Sequence, residues 1–358
     1  MSFPQRVRSL RKAKRMTQGD LATQVGVSTM AISKYECGKS FPSSVVLVKL
    51  AKALDVSVDS FFRPNAVEVA NFSYRNGEKL SHSMLNFIEY KVKDEAQKWL
   101  QLREIFASQV SLPVYEPIDF CVENELSMED VEDLALRVRD EWGLGFDPIY
   151  NLIGLLESKG ILVKCVDLET KFAFEGVSAQ ADDIPIMVIS KAWSTCRQRF
   201  TLAHELGHLL LNGKVPDTDL ELYCNRFASA FLIPRDAIFQ MIGERRKQVS
   251  FAELQILKEK YLISLQALVK RLSELLVIST RESQVLNKFI KESGWKVEEP
   301  GDQDMPVEKP QLVQQLVYRG VVEGVLSHSK AMELLHITAL DLRQRLLGGE
   351  HLHARYAD

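Results

Sequence analysis

Apolar residues recur at helical spacing over most of the chain, interrupted by one short stretch of strand-like pattern. Val7 to Arg15 reads as an amphipathic helix with Leu10 inward and Arg8, Arg11, Lys12, Lys14 and Arg15 outward. Thr17 is placed to cap a helix over Gln18 to Val25, whose apolar face is Leu21, Ala22 and Val25; Gly26 supplies a tight turn. Ser28 then caps Thr29 to Cys37, which Gly38 ends. Val45 to Leu54 is a further helix, and Val56, Val58, Phe61 and Phe62 close a small core. Pro64-Asn65 opens a connector, in which Ser83 caps a long helix from about Met84 to near Phe106. Its apolar stripe (Leu85, Ile88, Val92, Ala96, Trp99, Leu100, Leu102, Ile105) suits a helix bridging two domains, a dimerisation element or a face packed on the body. Ser127 caps a helix to Trp142, and Pro148 begins another that Gly160 ends. Ile161 to Val163, Phe172 to Val177 and Ile184 to Ile189 read as three strands of a small sheet. Helices resume to about Leu276, followed by a polar, proline-rich row from Lys296 to Pro310 that reads as a linker or disordered loop, and a helical tail over Leu312 to Leu347. The fold class is α+β and mostly helical. The expected organisation is 1–64, a helix-turn-helix domain; 65–115, a helical connector; 116–280, a body containing the small sheet; 281–311, a linker; and 312–358, a tail.

Chemistry concentrates in the body. His204-Glu205-Leu206-Gly207-His208 is an H-E-x-x-H motif, and two imidazoles four residues apart on a helix share a face and can ligate one ion. Glu205 can reach a water at that ion without being a ligand. A second helical pattern ends at Pro234 and carries Glu221 and Asn225 at i and i+4. Glu221 is the candidate third ligand and Asn225 a candidate for orienting a ligating histidine. Asp217 and Asp219 compete with Glu221, but are expected in the loop before that helix. Two histidines, one carboxylate and an open fourth position describe a catalytic Zn2+ site rather than a closed structural one. An oxyanion formed there needs a second donor, for which Arg199, Arg197 and Tyr223 are candidates. Pro185 to Ser190 is the candidate strand to receive an extended substrate, and a plain core strand accounts for its pattern equally well.

Charge marks a second function. The net charge of −3 hides an N-terminal segment, 1–64, with 11 basic and 4 acidic residues (+7), on a remainder of 34 basic and 44 acidic (−10). A helix, a glycine turn and a second helix inside that basic segment describe a helix-turn-helix, whose second helix enters the major groove of double-stranded DNA. Ser28, Thr29, Met30, Ser33 and Lys34 are the expected exposed residues of that helix, with Gln18, Lys34 and Lys39 placed for phosphates. Five cysteines (Cys37, Cys121, Cys165, Cys196, Cys224) without C-x-x-C pairing predict free thiols and a cytoplasmic protein. No apolar run is long enough for a membrane span, and Met1 to Arg6 lacks a signal-peptide core, which disfavours a secreted digestive enzyme. His82, His328, His336, His351 and His353 have no metal spacing and are expected at the surface.

Two resemblances sharpen this. The stretch TQGDLATQVGVSTMAISKYECGKSFPSSVVLVKLAKALDVSVDSFF resembles the phage-repressor (Cro/CI, or XRE) family, which implies a DNA-reading helix from about Ser28 and a homodimer on an inverted-repeat operator. RQRFTLAHELGHLLLN, ExxCNRFASAFLIP and the upstream Trp142-Gly143-Leu144-Gly145 through Gly160-Ile161 resemble the ImmA/IrrE zinc metallopeptidases. That resemblance covers roughly Val131 to Leu275 and implies a zincin-like domain with a gluzincin-like ligand set: His204, His208 and Glu221 on Zn2+, with Glu205 as base. Cys224 departs from the alanine more common before the asparagine, a small change in volume. Together they imply a transcriptional regulator carrying its own endopeptidase, whose protein substrate is a repressor-type partner or this chain itself, in a stress, phage or mobile-element response. The competing reading is a zinc-scaffolded repressor or sensor without significant proteolysis.

Overall fold

The computed structural model describes residues 3–14, 16–54, 56, 58, 61–62, 69–74, 82–107, 109–118, 120, 126–167 and 174–348. The connector start at Pro64-Asn65, Cys121, His351 and His353 lie outside them, as does the side chain of His82. In chain order come helices α1 (Phe3–Ala13), α2 (Gln18–Val25), α3 (Thr29–Glu36) and α4 (Ser44–Leu54), strand β1 (Val69–Tyr74), and helices α5 (His82–Phe106), α6 (Met128–Glu141) and α7 (Leu152–Ser158). Strands β2 (Leu162–Val166), β3 (Gly176–Ala181) and β4 (Ile184–Ser190) precede helices α8 (Thr195–Leu211), α9 (Asp217–Leu232), α10 (Arg235–Ile242), α11 (Phe251–Tyr261), α12 (Leu265–Glu274) and α13 (Thr280–Glu292). The last three are α14 (Leu312–Val322), α15 (His328–Leu335) and α16 (Ala339–Leu347).

These elements form two compact units. The first gathers Met1–Ala70, Leu80–Leu112 and Gln311–Asp358. Its start is written in local chemistry. Thr17 and Asp20 make a reciprocal capping box at α2, Gly26 adopts the left-handed conformation (φ 76°) that ends the helix, and Ser28 accepts from the Ala31 amide to start α3. Val7, Leu10, Leu21, Val25, Ile32, Leu50, Leu54 and Phe61 bury into one small core, whereas Phe62, expected there, is exposed and stacks on Phe3. Helix α5 lies wholly in this unit, packs against α1 and α14, and buries Ile88, Val92, Ala96, Trp99 and Leu102. His328 and His336 are exposed.

The second unit takes in Asn71–Lys79 and Pro113–Pro310. Its sheet has the order β1-β3-β4-β2, with β4 antiparallel to β3 and parallel to β2. Every residue of β4 is buried. That corrects the expected substrate strand: β4 is hydrogen-bonded along both edges and has no edge to offer an incoming peptide. Two boundaries also move. Asn151 caps α7, so the helix starts after Pro148 by a full turn, and β3 begins at Gly176 rather than Phe172, with 168–173 outside the described residues.

The stretch expected as linker is part of this unit. Its first residues form α13, and the acidic row folds back onto α11 and α12. Glu299 is buried and accepts from Lys258 Nζ (2.9 Å) and from the Leu265 and Gln266 amides (2.7 and 3.2 Å), while Asp302 takes the same Lys258 at 2.6 Å. Farther on, Glu308 pairs with the buried Arg199 and accepts from the Ile153 amide at 2.9 Å. Polar composition reads as solvation until buried cations are found beneath it.

Candidate metal centre and nucleic-acid interface

Helix α8 is buried along nearly its whole length, and α9 runs against it. Their separation is set at Gly207. A Cβ there would stand 3.1 Å from the Cα of Cys224 and 3.3 Å from its Sγ, so only glycine on one helix and a small side chain on the other let the backbones approach this closely. Arg139 anchors the far end of α9, donating to the carbonyl oxygens of Gly145 (2.8 Å), Asp147 (2.5 Å) and Phe231 (2.6 Å). That explains the Trp142-Gly143-Leu144-Gly145 stretch: its two glycines have positive φ, and the turn they make presents carbonyls to one guanidinium. Trp142 packs edge-on against Phe231.

This close packing brings three donors together. His208 Nε2 lies 3.0 Å from His204 Nε2 and 3.0 Å from Glu221 Oε1, and His204 Nε2 lies 3.4 Å from Glu221 Oε2. Among the described residues these are the three side chains grouped as a metal ion requires, their donor atoms all within 4.8 Å of one another. Ligands about 2.0–2.1 Å from a tetrahedral zinc stand about 3.3–3.4 Å apart, so the trio needs only tenths of an ångström to accept one. Two ring nitrogens and a carboxylate facing one point are an electron-rich set that protons satisfy poorly and a divalent cation satisfies well, so the residues fit the ion. Hydrogen bonds from the two imidazoles hold the Glu221 carboxyl well below the usual carboxylate range. Asp217 and Asp219, expected in a loop, form the first turn of α9 and are not in the group.

Glu205, next to His204 in the chain, is fully buried, and Ser178 Oγ on β3 donates to its Oε2 at 2.7 Å. The serine was not foreseen; nothing local marks it, and it meets Glu205 because Gly176 lets β3 press onto α8. A Cβ at Gly176 would fall 2.4 Å from the Thr201 methyl.

The remaining expected site residues are otherwise engaged. Asn225 does not bond a histidine: its Nδ2 reaches back one turn to the Glu221 carbonyl at 2.7 Å, as an i to i−4 side chain can on a helix. Arg199 is buried, held by Glu308 and by the Ile149 carbonyl (2.8 Å), and Tyr223 donates to the Leu126 carbonyl at 2.5 Å. Arg197 bonds Glu175 at 2.7 Å and lies over the Trp193 ring. In this structure each of the three has at least one donor held by another protein group.

In the first unit, Ser28, Thr29, Met30, Lys34 and Lys39 are exposed and Ser33 is half-buried. Gln18 differs from expectation. Its Nε2 donates to Glu36 Oε2 at 2.8 Å, joining a buried pair in which Arg11 grips Glu36 at 2.5 and 2.9 Å and so ties α1 to α3.

The geometry defines a helix-turn-helix unit and a helix pair carrying a metal-ligand set. Comparison with known proteins agrees. Residues 7–61 match the helix-turn-helix family of the XRE type, and residues 159–273 match the peptidase M78 family, described as an IrrE N-terminal-like domain. The chain thus carries a segment similar to XRE-type helix-turn-helix domains and a separate segment similar to IrrE/ImmA-like peptidase domains. Among curated relatives, the cryptic phage CTXphi transcriptional repressor RstR of Vibrio cholerae is 39% identical over 59 residues, 16% of this chain and 53% of the relative. The HTH-type transcriptional activator BcrR of Enterococcus faecalis is 41% identical over 59 residues, 16% and 29%. An uncharacterized transcriptional regulator in the ATPase CF(0) region of Rhodospirillum rubrum is 47% identical over 58 residues, 16% and 54%. The chain spans about half the length of these relatives, or less. No helix among the described residues is long and apolar enough to cross a membrane.

Proposed function

We propose that the chain is a DNA-binding regulator whose second unit is a zinc-dependent endopeptidase, acting on a repressor-type protein or on this chain. The observation that carries the reading is the convergence of His204, His208 and Glu221, with Glu205, the residue after His204, fully buried. His204, His208 and Glu221 would hold the ion. When bound, zinc supplies Lewis acidity that activates a water and polarises the scissile carbonyl. Glu205 takes the proton of the attacking water and delivers it to the leaving amine, and Ser178 fixes the orientation of its carboxylate for both transfers. A metal-braced scaffold has no use for Glu205. Burying a carboxylate costs several kcal/mol unless it is compensated, which favours a working base over a sensor without proteolysis. Ser28, Thr29, Met30, Ser33 and Lys34 face an operator in this reading, with Lys39 on phosphate, and the regulator acts as a homodimer.

The test compares new protein N-termini in cells expressing the wild type and Glu205→Gln, with and without DNA damage. Termini that require Glu205 are expected, and they name the substrate. Identical sets under every condition, with zinc still bound to the variant, would reject proteolysis in favour of the zinc-scaffolded repressor.

A further inference from the structure

The second unit has a cleft of about 520 Å3. Its wall includes Phe200 and Asn225, each one helical turn from a proposed ligand, His204 and Glu221, and on the same face of its helix. A smaller, separate cavity of about 150 Å3 is lined by His208 itself with Ser178 and Met187. A peptide crossing the trio would therefore place residues from one side of its scissile bond in the larger cleft.

The charges lining that cleft are unequal in what they still offer. Three carboxylates line it, and all are engaged. Glu299 has Lys258 and two backbone amides. Asp302 has Lys258 at 2.6 Å and the Glu299 amide at 2.9 Å, and Glu274 has Arg226 at 3.2 Å. The cations are less committed. Lys296 makes no ion pair among the described residues, and Lys270 has only a loose 3.7 Å contact to Glu274 while more than half exposed. Arg197 adds a third, fixed by Glu175 and Trp193 at the end nearest α8. Around them stand neutral hydrogen-bonding groups, among them Ser273, Ser283 and Asn287. An incoming carboxylate gains Lys270, Lys296 and these donors; an incoming ammonium finds Glu299 and Asp302 already satisfied and Glu274 shared with Arg226 and Lys270.

We propose that this cleft is the specificity subsite of the peptidase and takes acidic side chains of the substrate. The proposal rests on the peptidase reading. Ser283, Asn287 and Lys296 lie beyond residues 159–273, which match the peptidase family, whereas Arg197 and Lys270 lie within them.

Two measurements on the full-length, zinc-loaded chain test it. The first is fluorescence anisotropy with labelled nine-residue Gly/Glu and Gly/Lys peptides on the Glu205→Gln protein, which keeps the trio. The acidic peptide is expected to bind about tenfold more tightly or better, and Lys270→Glu with Lys296→Glu to abolish or reverse the preference. Both lysines are exposed, so the double variant should melt with the parent. Equal binding of the two peptides, binding of neither, or a preference untouched by the double substitution overturns the proposal. So does displacement of the acidic peptide by a short single-stranded oligonucleotide at equal concentration. The second measurement maps cuts in a proteome-derived peptide library. Acidic residues should be enriched on one side of the cut by the wild type and lose that enrichment in the double variant; cuts without acidic enrichment overturn the subsite. Acidic-peptide binding without any cuts would leave the cleft standing and sink the peptidase reading instead.

Discussion

Helices α8–α9 and α2–α3 are both pairs joined by a short connection, and both carry the groups proposed to act in their unit. They differ in where the functional groups point. On α8 and α9 the polar groups turn inward: His204 and Glu205 are fully buried, and the close approach at Gly207 and Cys224 is what joins them to Glu221. On α3 the groups proposed to act turn outward, while Ile32 and Glu36 hold the helix to its unit. Chemistry that must exclude water is built into the core, so its residues also carry packing. Recognition of another molecule's surface is added to a core that does not depend on it.

The sharpest way to break the inward design is through the charge buried behind it. Glu132 on α6 is fully buried and accepts from Arg271 of α12 (2.6 Å to Nη1, with a second, shorter bond to Nη2) and from Arg226 of α9 at 3.0 Å. Glu132→Gln leaves Arg271 without its anion and Arg226 with Glu274 alone, and should cost about 3–5 kcal/mol. The expected result is a marked fall in the urea midpoint of the second unit with operator affinity unchanged. A shift under about 1 kcal/mol would show that water relieves the cluster. Next in size is Gly207→Val, whose side chain must push α9 away. Overpacking of this kind costs about 1–3 kcal/mol, and because it separates Glu221 from the histidines, zinc affinity by chelator competition should fall with the melting temperature. Loss of stability with full zinc affinity would mean that Gly207 packs but does not position.

These residues also show what could be read from the chain. Thr17, Gly26 and Ser28 act on neighbours within a few residues, and His204, His208 and Glu221 follow helical spacing on two successive helices, so local pattern reaches them. Arg199 and Tyr223 are oxyanion candidates by proximity in sequence. Their actual partners, Glu308, Ile149 and Leu126, lie 109, 50 and 97 residues away. The interior place of β4 depends on strand order, which the period of its residues does not carry. The row from Lys296 to Pro310 looked solvated because Lys258, 41 residues from Glu299, is hidden in an otherwise ordinary helix. Short-range chemistry is legible; long-range pairing of charges is not.

A smaller effect tests the buried side of the outward pair. Burial alone would raise the Glu36 pKa, but the Arg11 guanidinium and the Gln18 amide outweigh it and hold the carboxyl below its ordinary value. A depressed carboxylate contributes stability that is present above about pH 4.5 and is lost as pH falls through the folded value. The first unit should therefore weaken below pH 4.5, and Glu36→Gln should lower its stability at neutral pH and flatten that acid limb. An acid limb as steep in the variant as in the parent would assign the pH dependence elsewhere.

The smallest effect on stability is expected on the exposed face of α3, and it is the one that decides whether the outward design is real. Thr29 and Lys34 are both exposed, so alanine at either should leave stability within about 0.5 kcal/mol. If α3 reads DNA, the two substitutions separate by kind. Thr29→Ala removes a group placed for base edges and should cost about 1–3 kcal/mol on the operator while sparing non-specific DNA. Lys34→Ala removes a phosphate contact; it should weaken all sequences alike and reduce the slope of log affinity against log salt by about 1. Titrations at three salt concentrations, on operator and scrambled duplex, distinguish the two. Uniform loss from both would mean that α3 touches only the backbone and that base reading lies elsewhere in the unit. No loss from either would leave the basic charge of residues 1–64 to account for binding without the helix at all.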